Sequence, residues 1–128
     1  MNGFVDATDP ASVEAVLRAA LPAVGVAGVL AQLAQVPGLQ VEPGRSGGLF
    51  RAAVPAQVGY RDRTLRWDPA GPVDVHMVGG IVLSTEPVVA AGVAALLADL
   101  VTRAVRDHEA GDAVSVGLTA LRDAVQIG

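Results

Sequence analysis

Cysteine is absent from the 128 residues. That excludes a disulfide framework, a thiolate metal site and a cysteine nucleophile, and fits a reducing, cytoplasmic compartment. Lysine is absent as well, so all nine basic residues are arginine. Alongside abundant Ala, Val and Gly, this reads as the coding bias of a high-GC bacterial genome rather than arginine-specific chemistry. Cations are outnumbered: the net charge is −4 and the isoelectric point about 4.9. Binding to phosphate backbones needs a basic excess, so no nucleic-acid partner is expected. Aromatic residues make up only 3%.

Apolar residues are plentiful instead, at 52% with a mean hydropathy of +0.47. They are mostly Ala, Val and Leu, which bury little area each. The length fits one domain, residues 1–128, with one core. More apolar surface than one small core hides suggests a self-association face, a ligand cavity or a membrane contact. The charge-free run Ala19 to Val41 reaches the ~20 residues that span a bilayer. It is interrupted by Pro22 and Pro37 and carries Gln32, Gln35 and Gln40. The run Pro87 to Ala98 is too short. No spanning helix is expected, and the acidic start, Met1 to Asp9, is not that of a signal peptide.

Periodicity organises the chain. Asp9 can cap a helix that begins with Pro10, with Val13, Val16, Leu17, Ala20 and Leu21 on one face. Pro22 should kink or end it, and a second helical piece should run to about Gln35. Alternation then predicts a four-stranded antiparallel meander: Leu39–Glu42, Leu49–Tyr60, Arg63–Trp67 and Val73–Ser84. Gly79-Gly80 should be a bulge within the last strand. A turn at Arg61-Asp62 sets Val58 opposite Leu65 and Gln57 opposite Arg66; a loop Asp68–Pro72 sets Trp67 opposite Val73 and Arg66 opposite Asp74. Glu86-Pro87 should open a long helix reaching Ala110, with Val89, Val93, Leu96, Leu97, Leu100, Val101 and Ala104 inward. Asp112 should cap a last helix carrying Val114, Leu118, Leu121 and Val125. The predicted fold is a two-layer α+β domain: N-terminal helices, a meander, then a helical hairpin.

No motif in the chain is specific to a family. The registers gather Arg51, Gln57, Arg66, Asp74 and His76 on the outward sheet face, either as a recognition patch or as an ordinary solvated surface. His76 beside Asp74 has the composition of a general base, but too few ligands stand near it for a metal, and no cofactor is implied. His108 suits the last turn of a helix, where a cation complements the dipole. The Gly-rich loop Pro43 to Gly48 precedes a strand, whereas a phosphate loop precedes a helix. No serine sits in a nucleophile elbow. Ala91, Gly92 and Ala95 leave one side of the long helix smooth enough for close helix approach.

Three readings follow. The first is a non-catalytic binding or assembly module forming a homodimer, through Ala91, Gly92 and Ala95 or through the outward sheet face at Val82. The second is a carrier of an apolar small molecule held near Tyr60, Trp67 and Met77. The third is a small enzyme using His76 with Asp74.

Overall fold

The computed structural model describes residues 3–45 and 47–127. It is an α+β fold: α1 (Pro10–Leu33), β1 (Gln40–Glu42), β2 (Gln57–Tyr60), β3 (Arg63–Asp68), β4 (Gly71–Val78), β5 (Ile81–Pro87), α2 (Ala90–Asp107) and α3 (Gly111–Ile127). The five strands form one antiparallel sheet in sequence order. α1 packs on α2 and α3, and α2 on β2 and β3, so one sheet face meets the helices.

Asp9 occupies the N-cap position and Pro10 the first helical position, as Pro's missing N–H favours. The Asp9 side chain makes no capping bond; its carboxylate accepts from the Ser12 hydroxyl at 2.6 Å. The break in α1 falls at Gly25 rather than Pro22. Gly25 takes φ 74°, a left-handed backbone that only glycine adopts without cost, and Pro22 sits within the turn before it. α1 is the one described helix long and apolar enough to cross a membrane; Val13, Val16, Leu17, Ala20, Val29, Leu30 and Leu33 along it are buried.

The sheet departs from the sequence reading in three places, each decided by a turn. Gly79 and Gly80, at φ 58° and 82°, form a two-residue hairpin turn closing Val78 on Ile81. Two consecutive positive φ values match the twist of a hairpin, so a fifth strand replaces the expected bulge. The bulge lies one turn away, where Met77 pairs with Val82 and His76 with Ser84, leaving Leu83 extra. Nothing crowds a Cβ at Gly80, so Gly80→Ala should cost about 1 kcal/mol from backbone strain alone. A thermal midpoint equal to wild type would contradict this turn.

The second departure is register. Asp68 pairs directly with Gly71 across the two-residue turn Pro69-Ala70. Leu65 therefore faces Asp74, Arg66 faces Val73, and Trp67 faces Pro72. β4 is shifted by one residue from its expected pairing, which exchanges its two faces. Asp74 and His76 turn toward the helices. Val75 and Met77 turn away, and Val75 is buried beside its partners Thr64 and Thr85 but outside the main core. The β2–β3 register is the expected one, with Val58 opposite Leu65 and Gln57 opposite Arg66.

The third departure is β2, which covers only the last four residues of the long strand expected from Leu49. Residues before it form an arm between β1 and β2. Arg45 bridges Val54, Gly48 bridges Arg51, and Leu49-Phe50 is the turn at the tip. Ser46 lies outside the described residues.

The core joins Val13, Leu17, Leu30 and Leu33 of α1 to Val58 and Leu65 of the sheet and Leu97, Leu100 and Val101 of α2. Val114 and Leu118 of α3 complete it. Glu86-Pro87 ends β5 instead of opening α2, and Val89, expected inward, is the exposed N-cap of that helix.

Candidate functional site

The register shift builds an ion-pair cluster between sheet and α2. Arg63 on β3 lies diagonal to Asp74 on β4 and across from His76, all on the helix-facing side. The Arg63 guanidinium donates to both Asp74 oxygens, Nε at 3.1 and 3.2 Å and a terminal nitrogen at 2.7 Å. Its other terminal nitrogen donates to Asp99 of α2 at 3.2 Å, and Arg103 reaches the same carboxylate oxygen at 3.2 Å. Asp74 is only 9% exposed. A forked guanidinium matches a carboxylate's two oxygens, which is how a carboxylate survives such burial. The hydrogen bonds from Arg63 hold the Asp74 carboxyl below the ordinary carboxylate range, with the Arg63 and His76 charges adding to the effect.

His76 stands at the solvent end of this cluster. Its Nε2 lies 3.5 Å from Asp74 Oδ2, and Ser84 is its cross-strand partner. Asp74 is thus committed to Arg63 more than to His76, since its shortest bonds all come from the guanidinium. A general base needs an orienting carboxylate and a reacting group within hydrogen-bond reach. The first is weak here. No group of three or more His, Asp and Glu stands close enough to hold a metal among the described residues.

The recognition patch expected on the outward face is divided. Gln57 and Arg66 remain neighbours there, and Arg66 is forked onto Asp68 at 2.6 and 2.9 Å rather than paired with Asp74. Asp74 and His76 occupy the opposite face, and Arg51 lies on the arm. The trio expected to line an apolar cavity is divided too. Tyr60 is buried, its hydroxyl donating to Asp107 at 2.6 Å and its ring set edge-on to His108 at 6.2 Å. Trp67 is half-buried in an open cleft of about 290 Å³ with Ala53, Val54 and Pro55 at the arm's base. Met77 projects from the other face of the sheet.

The chain matches no family model, no curated protein and no solved structure. The surface itself is therefore the guide to function.

Two apolar surfaces stand out. Val78, Ile81, Val82 and Leu83 are all more than half exposed around the β4–β5 turn, Val78 and its partner Ile81 on one face of the hairpin and Val82, opposite Met77, on the other. Ile81, Val82 and Leu83 belong to β5, the edge strand, which has a partner on one side only, and Val78 ends β4 beside them. The second surface is the arm tip, where Leu49 is 90% and Phe50 93% exposed. The smooth stretch of α2 is less available. Ala91 and Ala95 are exposed and Gly92 is half-buried, but the Arg18 guanidinium of α1 reaches the Ala91 carbonyl at 3.3 Å.

Sequence reasoning placed Val82 on an exposed surface but missed Arg63, Asp99 and the arm tip. The signal for Arg63 was present in Asp68-Pro69-Ala70-Gly71. Asp, Pro and Gly stand there at the positions a two-residue turn prefers, and that turn alone brings Arg63 beside Asp74.

Proposed function

We propose that this protein is a non-catalytic binding and assembly module that associates with copies of itself, a homodimer being the smallest form. The observation that carries this reading is the exposed apolar run Ile81, Val82 and Leu83 on the edge strand β5, with Val78 of β4 beside it. An edge strand offers unpaired backbone N–H and C=O groups, and natural proteins usually guard such edges with charge. Here three successive positions of the edge strand are aliphatic and solvent-facing. Covering them with another polypeptide removes apolar area from water and pairs the backbone at the same time.

The cluster around Asp74 supports the same reading from the other direction. Its charged groups bond to one another in a fixed arrangement, as a structural tie between sheet and helix would require. The cleft beside Trp67 opens to solvent instead of lying closed between the layers, which argues against a chamber for an apolar cargo.

Light scattering on the purified protein at tens of micromolar should report a mass above the monomer. Val82→Arg places a guanidinium in the edge and should return the protein to monomer, with its circular dichroism unchanged because Val82 is solvent-facing. Gly92→Arg should leave the assembly intact. A monomeric wild type would end the assembly reading, and an assembly split by Gly92→Arg but not by Val82→Arg would transfer it to α2.

A further inference from the structure

The arm and the sheet edge have complementary properties, and they cannot meet within one molecule. The arm leaves between β1 and β2, at the end of the sheet where the Pro69-Ala70 turn lies; at its base the Trp67 N–H donates to the Ala56 carbonyl at 2.9 Å. The apolar end of β5 lies at the opposite edge and the opposite end, next to the Arg61-Asp62 turn, where the Met77 N–H donates to the Asp62 carbonyl at 2.8 Å.

Charge distinguishes the two further. Arg18, Arg61, Arg63, Arg66, Arg103 and Arg122 all pair with carboxylates, and Arg106 donates to the Thr8 carbonyl. Only the side chains of Arg45 and Arg51, the two arginines of the arm, have no partner among the described residues. No acidic residue lies between Glu42 and Asp62, in a chain whose net charge is −4. On β5, Glu86 is exposed and forms no ion pair among the described residues, three positions beyond Leu83. The arm thus offers two apolar side chains flanked by free cations. The edge offers an apolar run, a free carboxylate and a strand whose outer side is unpaired.

We infer that the Leu49-Phe50 arm of one copy docks on the β5 edge of a second copy, Leu49 and Phe50 covering Ile81, Val82 and Leu83 while Arg45 or Arg51 meets Glu86. This rests on the self-assembly reading above and specifies its contact. Pairing β5 with another β5 would leave Leu49 and Phe50 in water and bring no cation to Glu86. A contact between two different surfaces is head-to-tail: it propagates until it closes, as a ring or as a reciprocal pair, or continues as an open chain.

The head-to-tail character gives the test. Leu49→Ser with Phe50→Ser disables the arm without changing charge, and Val82→Arg disables the edge. Each variant alone should be monomeric by analytical ultracentrifugation. An equimolar mixture should form one-to-one dimers and nothing larger, because one variant supplies only a working edge and the other only a working arm. Arg45→Gln with Arg51→Gln should weaken wild-type association roughly threefold to tenfold, and less at high salt. An arm variant that assembles like wild type would overturn the arm contact while leaving the assembly reading standing, as would a mixture that stays monomeric. A wild type that is itself monomeric would remove both. Sedimentation of wild type with phosphatidylglycerol vesicles, abolished by the two serine substitutions, would assign the arm tip to lipid and overturn this inference.

Discussion

Leu97→Ala should lower the stability of the fold by about 2–5 kcal/mol. Leu97 is fully buried in the middle of α2, in the cluster that joins α1, α2 and the sheet. Truncation removes its transfer free energy and leaves a cavity that a close-packed surrounding only partly fills. Collapse around the gap is limited because the cluster it belongs to draws Leu17, Leu30 and Leu33 from α1 and Leu65 from β3, so that closing the gap would require a helix and a strand to move together. A urea titration measures the effect: the midpoint should fall while the slope stays constant, because the area exposed on unfolding hardly changes. An unchanged midpoint would remove that face of α2 from the core.

The second large effect is expected at Asp74. Asp74→Ala should cost about 1–3 kcal/mol, because it strips the forked acceptor from a guanidinium held between sheet and helix. Asp99 remains as a partner and Arg63 keeps some solvent contact, so the cost stays below that of a fully buried ion pair. The same residue gives a pH dependence. Its folded pKa lies below the ordinary value, chiefly through hydrogen bonds from Arg63. Its contribution is therefore fully present above the ordinary carboxylate range and is lost as the pH falls through the lowered value. In denaturant titrations from neutral pH downward, Asp74→Ala should flatten the acid side of the stability profile. Equal acid slopes for variant and wild type would show that Asp74 is not held in this way.

Much of the architecture is legible in the residues. Asp9-Pro10 marks the start of α1, and the 3.6-residue spacing from Val93 to Ala104 marks the buried face of α2. Both signals are local, involve strong side-chain types and have no competing pattern. The β2–β3 hairpin was legible because alternation on both strands fits one register. The β3–β4 hairpin was not, because its sequence offers two self-consistent solutions. Pairing Trp67 with Val73 keeps apolar residues together, and that pattern favoured a longer loop. The chain instead takes the tight turn and places Asp74 on the buried side, where the price of an inward carboxylate is met by Arg63. Alternation cannot anticipate this, because it treats every charge as outward. The same blindness hid the arm. Leu49 to Tyr60 alternates like a long strand, yet only Gln57–Tyr60 finds a neighbour to extend the sheet. Periodicity reports which faces a strand would have, not whether a neighbouring strand exists to pair with it.

The sheet is built from neighbours in sequence, but the helical layer is not. β2 through β5 close over two-residue turns and can pair as soon as they are synthesised. The N-terminal segment has its partners at the far end of the chain. The Val5 N–H donates to the Thr119 hydroxyl at 2.9 Å, and the Ala7 N–H to the Ser115 hydroxyl at 3.0 Å. α1 likewise packs on α2 and α3. During synthesis, the most apolar helix therefore leaves the ribosome well before the surfaces that cover it. At about 5–20 residues per second, α1 waits roughly 5–20 s with its apolar stripe unpartnered. That interval exposes the nascent chain to chaperones or to a neighbouring copy on the same message, and α3 ends it.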